Sequence, residues 1–114
     1  LPRIEADEQL LRQALFNLLI NATQALDRGG EIRVSVVRGD GNSLALEISD
    51  NGPGIAPEHR KEVFKPYFTT QQKGTGLGLA VVQQIVLAHG WEIECLPNEP
   101  RGACFRISHM RESA

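Results

Sequence analysis

The chain is organised around two glycine clusters, DNGPG at residues 50–54 and GTGLGL at residues 74–79. Each cluster lies between the end of one predicted regular element and the start of another. Glycine at such a position allows a positive φ or a close approach of the backbone to a ligand. The rest of the sequence is therefore expected to be the scaffold that holds these two clusters.

The first cluster follows a predicted strand whose apolar residues alternate at Leu44, Leu46 and Ile48. Asp50 has the same parity, so a strand that continues this far directs the carboxylate toward the buried side. An unpaired buried acid is costly and needs a partner or a ligand. The alternative is a turn in which Asp50 only caps backbone amides. This stretch leaves both interpretations open.

The second cluster precedes an almost uniformly apolar run, residues 77–89, that ends at Gly90. The pattern predicts a well-buried helix that begins among the glycines. A helix start carries unpaired backbone N–H groups and the positive end of the helix dipole, and both favour phosphate. The GTGLGL cluster is therefore a candidate phosphate site.

A first helix is predicted over residues 6–26, where apolar residues recur at the spacing of one helical face, and Gly29-Gly30 is expected to end it. A stripe of amides runs along its flank, at Gln13, Asn17, Asn21 and Gln24. Asparagine is a poor residue for a helix interior because its side chain competes for backbone hydrogen bonds. Two asparagines one turn apart indicate a function, although a solvated polar edge also explains the spacing.

Further strands are predicted at residues 31–38, with Ile32, Val34 and Val36 on one face, and in a terminal hairpin at residues 91–95 and 103–107. Between the glycine clusters, residues 56–64 form a short amphipathic helical turn. A loop follows, and we expect Phe64 and Phe68 to hold it down as a lid. The order of elements predicts an α+β fold. We expect a two-layer sandwich, a mixed, mostly antiparallel sheet with helices on one face, as one domain over residues 1–114.

The composition excludes several classes of protein. A net charge of −2 provides no basic field for nucleic acid. No apolar stretch approaches the roughly 20 residues that span a bilayer, and the N-terminus lacks the layout of a signal peptide. Cys95 and Cys104 have no metal-type spacing and are expected to be free thiols in a reducing cytoplasm. We expect a cytoplasmic domain of a longer chain, without nucleic-acid or direct membrane contact.

Familiar nucleotide-binding signatures do not fit the GTGLGL cluster. The chain has no G-x-x-x-x-G-K-[ST] sequence, which excludes a P-loop. The glycines lack the G-x-G-x-x-G spacing and follow a loop rather than a strand, which disfavours a dinucleotide site. No H-R-D or D-F-G motif supports a eukaryotic-type protein kinase.

Four segments together resemble, in order, the N, G1, F and G2 boxes of sensor histidine kinases. They are NLLINA at residues 17–22, DNGPGI at 50–55, FKPYFTT at 64–70 and GTGLGL at 74–79. The resemblance covers essentially the whole chain and is greatest to the nitrogen-regulation branch. It implies the Bergerat ATP-binding fold that histidine kinases share with DNA gyrase, Hsp90 and MutL.

The resemblance also implies roles for individual residues. Asp50 would bind the exocyclic amino group of adenine, and Asn21 would coordinate Mg²⁺ on the phosphates with Asn17 beside it, so that both asparagines serve catalysis. ATP would be contacted by these three residues and by a larger set: Gly52, Gly54, Ile55, Phe68, Lys73, Gly74, Thr75, Gly76, Leu77, Gly78 and Leu79. The glycines of the second cluster would supply the lid hinge and the triphosphate contacts.

Asn17 separates a kinase from the hydrolytic relatives, in which the corresponding residue is a glutamate that activates water. An amide cannot act as a general base.

The implied function is transfer of the γ-phosphoryl group to a histidine on a helical dimerisation domain of the same protein, and then to a response regulator. His59, His89 and His109 lack the setting of such an acceptor, so a monomeric fragment should bind ATP with little activity and the full-length protein should be a homodimer. The alternatives are a serine kinase of the anti-sigma type and a binding module with a degenerate site.

Overall fold

Two helices pack on one face of a four-stranded sheet, in a computed structural model that describes residues 3–26, 29–68 and 77–113. Two single turns of 3-10 helix, Pro57–His59 and Glu62–Phe64, follow the second strand. The helices and strands are, in order, α1 (Glu8–Ala25), β1 (Ile32–Arg38), β2 (Ser43–Asp50), α2 (Gly78–Ala88), β3 (Glu92–Pro97) and β4 (Ala103–Arg111). The predicted α+β fold with helices layered on a sheet is confirmed.

The sheet has the strand order β1-β2-β4-β3, and all three of its pairings are antiparallel. The sheet, predicted to be mixed but mostly antiparallel, is entirely antiparallel in the described part of the chain. Asp50 lies opposite Ile32 at one end of β2, where the pairing of β2 with β4 ends at Ser49 and Cys104. The first glycine cluster thus leaves the sheet from a central strand.

Helix α1 begins at the N-cap Asp7, whose Oδ1 accepts a hydrogen bond from the Leu10 N–H at 3.1 Å. Ala14, Leu18 and Ala22 form its buried face. The helix ends at Ala25, because Leu26 already has extended φ and ψ, and so it stops before the two glycines that were expected to end it.

Helix α2 is buried on one face only, through Val82, Ile85 and Val86. Leu87 is 59% exposed, which differs from the prediction of a well-buried helix. Gly90 has φ +74°, the left-handed conformation that favours glycine after a helix end, as the sequence predicts. The apolar sequence of α2 therefore predicts more burial than the structure shows, because the sheet and α1 cover the inner side of this helix but not its outer side.

Strand β1 lies at the edge of the sheet, and the face that its valines share is largely exposed. Val34 is 54% exposed and Val36 is 38% exposed. Alternation predicts which side chains share a face but not whether another layer covers that face. Helix α1 packs mainly on α2 and β2, so the outermost strand is left largely uncovered.

Both cysteines are free thiols, as predicted, and both are buried. Cys95 pairs with Phe105 across the hairpin, whereas Cys104 pairs with Leu96. Among the described residues, neither α1 nor α2 combines the length and the hydropathy that a membrane-spanning helix requires.

Candidate functional site

Asp50 is the one charged side chain buried within the described residues, with 3% of its surface exposed. Its Oδ1 accepts hydrogen bonds from the Gly52 N–H at 2.9 Å and the Ala103 N–H at 3.4 Å. No described residue donates a hydrogen bond to Oδ2. The carboxylate thus points inward, as its parity predicts. Its Oδ1 caps the N–H groups of Gly52 and Ala103, while Oδ2 has no donor among the described residues.

The glycines of the first cluster are required by close packing. A Cβ on Gly52 would lie 2.7 Å from the Ala25 carbonyl oxygen and 3.1 Å from Asp50 Oδ1. Gly54 has φ +81°, and its Cβ would lie 3.1 Å from the Gly102 carbonyl oxygen. These contacts bring the loop against the end of α1 and the β3–β4 turn, a reason for glycine that the sequence alone does not provide.

The β3–β4 turn, residues 98–102, holds the same loop from the other side. Asn98 Nδ2 donates to the Asp50 carbonyl oxygen at 2.9 Å, and Arg101 Nε donates to the Gly52 carbonyl oxygen at 2.8 Å. Sequence reasoning missed both residues. The turn composition of this segment is the only signal in the sequence, and it does not indicate a contact with a loop nearly fifty positions earlier.

Helix α1 connects the two glycine clusters. Asn17 Nδ2 donates to the Gly78 carbonyl oxygen at 3.4 Å, at the first residue of α2, and the Ala25 carbonyl lies against Gly52. Eight residues separate these contacts, about 12 Å along the helix axis, with Asn21 halfway between them. Asn17 and Asn21 are half-buried, whereas Gln13 and Gln24, at the ends of the amide stripe, are exposed.

Aromatic contacts hold the segment after the first cluster. Phe64 is buried and packs edge-to-face on Phe105, with ring centroids 6.0 Å apart. Phe68 is half-buried against the core and lies 5.4 Å from the His59 ring. Phe64 and Phe68 thus anchor the segment as far as residue 68, and the rest of the predicted lid lies outside the described residues. Ile55 and Leu79 also pack against the core, and Leu77 is 40% exposed.

The remaining predicted contacts belong to Lys73, Gly74, Thr75 and Gly76, which lie outside the described residues. His89 caps α2 and His109 is exposed near the end of β4. His59 is half-buried, and its Nδ1 is buried without a hydrogen-bond partner among the described residues, 3.7 Å from Glu62 Oε2.

The sequence is similar to sensor histidine kinases over most of its length. It is 45% identical over 107 residues to the sensor histidine kinase ZraS of Salmonella typhimurium, covering 94% of this chain and 23% of ZraS. It is 46% identical over 115 residues to the nitrogen regulation protein NtrY of Azorhizobium caulinodans, covering 93% of this chain and 15% of NtrY. The chain therefore spans less than a quarter of either relative.

Solved structures with the same fold include histidine kinases. The mycobacterial sensor histidine kinase MprB superposes with a TM-score of 0.87 at 34% identity, over 96% of this chain and 75% of that one. Full-length ShkA in complex with AMPPNP superposes with a TM-score of 0.84 at 33% identity, over 100% of this chain and 24% of that one. The family described as histidine kinase-, DNA gyrase B- and HSP90-like ATPase matches residues 6–113, and this chain belongs to it.

Proposed function

We propose that residues 1–114 form one catalytic domain that binds ATP with Mg²⁺ and supplies the γ-phosphoryl group to a histidine on a separate helical domain. The observation that carries the proposal is the buried Asp50 carboxylate, with Oδ1 held by two backbone N–H groups and Oδ2 without a donor in the described chain. Oδ2 is not among the fully buried atoms that lack a partner, so it remains accessible and can accept a hydrogen bond from a ligand. The exocyclic amino group of adenine is a suitable donor.

The phosphates would lie at the other end of the site, near the start of α2. Unpaired N–H groups and the helix dipole favour anions there. The contact of Asn17 with the Gly78 carbonyl supports this position, because it brings the amide stripe of α1 to the second glycine cluster. The proposed phosphate contacts of Lys73, Gly74, Thr75 and Gly76 rest on the sequence resemblance alone.

The side chains near Asn21 fit Mg²⁺ held mainly by a nucleotide. The described residues contain no group of three or more His, Cys, Asp or Glu side chains that could hold a metal. Mg²⁺ in nucleotide sites takes one or two protein oxygens and fills its other positions with phosphate oxygens and water. The Asn21 amide is half-exposed, has no hydrogen-bond partner in the described chain, and can offer one such oxygen. When bound, the ion would neutralise charge on the transferring phosphoryl group.

The proposed reaction requires no general base on this domain. A neutral imidazole is already a nucleophile, and Asn17 provides an amide rather than a carboxylate at the position beside the metal ligand. We propose that the acceptor histidine lies on a dimerisation domain of the same cytoplasmic protein and that a response regulator then receives the phosphoryl group. The similarity to ZraS and NtrY, both several times longer than this chain, supports that arrangement.

Titration with a fluorescent ATP analogue tests the adenine assignment. We expect Asp50→Ala to weaken binding about ten- to a hundredfold, the equivalent of losing a hydrogen bond to a charged group. Asp40→Ala is the matched control, because Asp40 is an exposed acid in the β1–β2 turn. Binding by Asp50→Ala that equals binding by the control would refute the role of Asp50.

The metal assignment needs a separate titration with and without Mg²⁺. We expect Asn21→Ala to remove most of the gain in affinity that Mg²⁺ gives the wild type. Gln24→Ala, an exposed amide one turn away on the same stripe, should keep that gain. An unchanged Mg²⁺ dependence in Asn21→Ala would exclude Asn21 as the ligand.

A further inference from the structure

We infer that Asn98 and Arg101, in the β3–β4 turn, are positioning residues for the adenine-binding carboxylate of Asp50. The inference rests on the proposed function, because it assumes that Asp50 receives the amino group of adenine. Neither side chain has to touch the nucleotide. Both act on the backbone of the loop that carries Asp50.

Asn98 fixes the backbone of Asp50 itself. The pairing of β2 with β4 ends one residue earlier, at Ser49 and Cys104, and the Asp50 carbonyl oxygen instead accepts a hydrogen bond from Asn98 Nδ2 at 2.9 Å. The Asn98 N–H donates to the Gly102 carbonyl oxygen at 3.1 Å and closes the turn. The side-chain amide of Asn98 therefore bonds the hairpin to β2 one residue beyond the last β2–β4 pair.

Arg101 fixes the loop two residues further along. Its Nε donates to the Gly52 carbonyl oxygen at 2.8 Å, and the Gly52 N–H is one of the two donors to Asp50 Oδ1. The second donor, the Ala103 N–H, comes from the same hairpin. Restraining the Gly52 peptides from both sides sets the direction of the carboxylate, and a hydrogen bond from a charged guanidinium is stronger than one between neutral groups.

The consequence is specificity for the base. A carboxylate accepts from the amino group of adenine but repels the carbonyl oxygen that guanine presents at the corresponding position. This discrimination depends on the direction of Oδ2, so a loosened loop should bind adenine nucleotides less tightly and distinguish them less sharply from guanine nucleotides. General destabilisation of the fold would not alter the ratio of the two affinities at a temperature at which the protein remains folded.

The test compares Arg101→Met, Arg101→Lys and Asn98→Ala with wild type. Arg38→Met is the matched control, because Arg38 is an exposed arginine at the far end of β1, whereas Asp50 pairs with the first residue of that strand. Competition against a fluorescent ATP analogue gives the dissociation constants for ADP and GDP, and thermal unfolding shows that each variant is folded at the temperature of measurement.

We expect Arg101→Met and Asn98→Ala each to weaken ADP binding about three- to tenfold and to lower the preference for ADP over GDP, whereas Arg38→Met matches wild type. Arg101→Lys, which retains a charged donor, should recover part of both losses. The inference is overturned if Arg101→Met and Asn98→Ala bind ADP with wild-type affinity and base preference. Failure of wild type to bind ADP, or wild-type affinity in Asp50→Ala, would overturn the proposed function as well.

Discussion

His89 accepts a hydrogen bond at Nε2 from the Asp7 backbone N–H at 3.0 Å, and so joins the end of α2 to the N-cap of α1. Because Nε2 is the acceptor, Nδ1 carries the proton and donates to the Ile85 carbonyl oxygen at 2.8 Å. The ring also stacks on Trp91, with centroids 4.2 Å apart and planes inclined by 20°. One neutral imidazole thus joins the two helices and packs on Trp91, the residue before β3.

Replacing His89 should lower the free energy of unfolding in proportion to the contacts removed. Loss of both hydrogen bonds and the stacking in His89→Ala should cost about 2–3 kcal/mol, whereas His89→Phe keeps the stacking and should cost about 1–2 kcal/mol. Urea unfolding monitored by Trp91 fluorescence measures both. His109→Asn is the control, because His109 is exposed with φ +68°, a conformation that asparagine tolerates. Equal stability of His89→Ala and the control would show that the link to Asp7 contributes nothing.

Gly102 should be the glycine least tolerant of substitution among those described. A Cβ there would lie 1.8 Å from the Asp50 carbonyl oxygen, and its φ is +114°. We expect Gly102→Ala to lower the free energy of unfolding by more than about 4 kcal/mol or to prevent folding. The atoms that the added Cβ would meet, in Asp50 and Asn51, belong to the backbone and cannot rotate away as a side chain can. In Gly41→Ala the φ is +62° but no described atom lies within 4 Å, so the cost should be only about 1–2 kcal/mol. Similar unfolding midpoints for the two variants would mean that the Asp50 loop moves aside freely.

The sequence predicts those features of the site that depend on local periodicity. The parity of Leu44, Leu46 and Ile48 correctly orients Asp50 inward, and the glycines correctly mark the start of α2. Contacts between distant segments have no such signal. The hydrogen bond from Asn98 to Asp50 spans 48 positions and depends on how the hairpin folds back on β2.

Burial is the second property that the pattern predicts only in part. Alternating valines in β1 look like those of a covered strand, yet whether a helix lies over them depends on the crossing of α1 over the sheet. For the same reason Leu87 in α2 is exposed although Ile85 and Val86 are buried. Local sequence thus determines which residues share a face, while tertiary packing determines which faces are covered.

The buried thiols predict a loss of stability in alkali. Burial raises the pKa of Cys95 from its ordinary value of 9.0 to about 11 and also raises the pKa of Cys104. Between pH 9 and 11 the unfolded chain has released the Cys95 proton and the folded chain has not, so the unfolded state binds fewer protons and stability falls as pH rises. The loss should approach about 1.4 kcal/mol per pH unit for this thiol.

Urea unfolding at several pH values from 8 to 11 gives that slope. Other groups titrate in the same range, so the informative quantity is the difference between wild type and Cys95→Ala. We expect the variant to be less stable at pH 8 but to lose stability more slowly above pH 9. Parallel slopes for the two proteins would show that the Cys95 thiol ionises equally readily in the folded and unfolded states.

Substitution of Gly78 tests whether this glycine is needed for ligand binding or for packing. No described residue lies within 4 Å of the position that a Cβ would occupy, and Gly78 begins α2, so Gly78→Ala should leave stability unchanged or raise it by up to about 1 kcal/mol. If phosphates approach this helix start, the added methyl group obstructs them and ATP affinity should fall about tenfold. Adenosine has no phosphates to obstruct, so its affinity should not change.

Calorimetric titration with adenosine, ADP and ATP measures how the loss of affinity in Gly78→Ala depends on the number of phosphates. An equal loss for adenosine and ATP would place the effect at the base rather than at the phosphates, and undiminished ATP binding would leave the glycine without the proposed phosphate role.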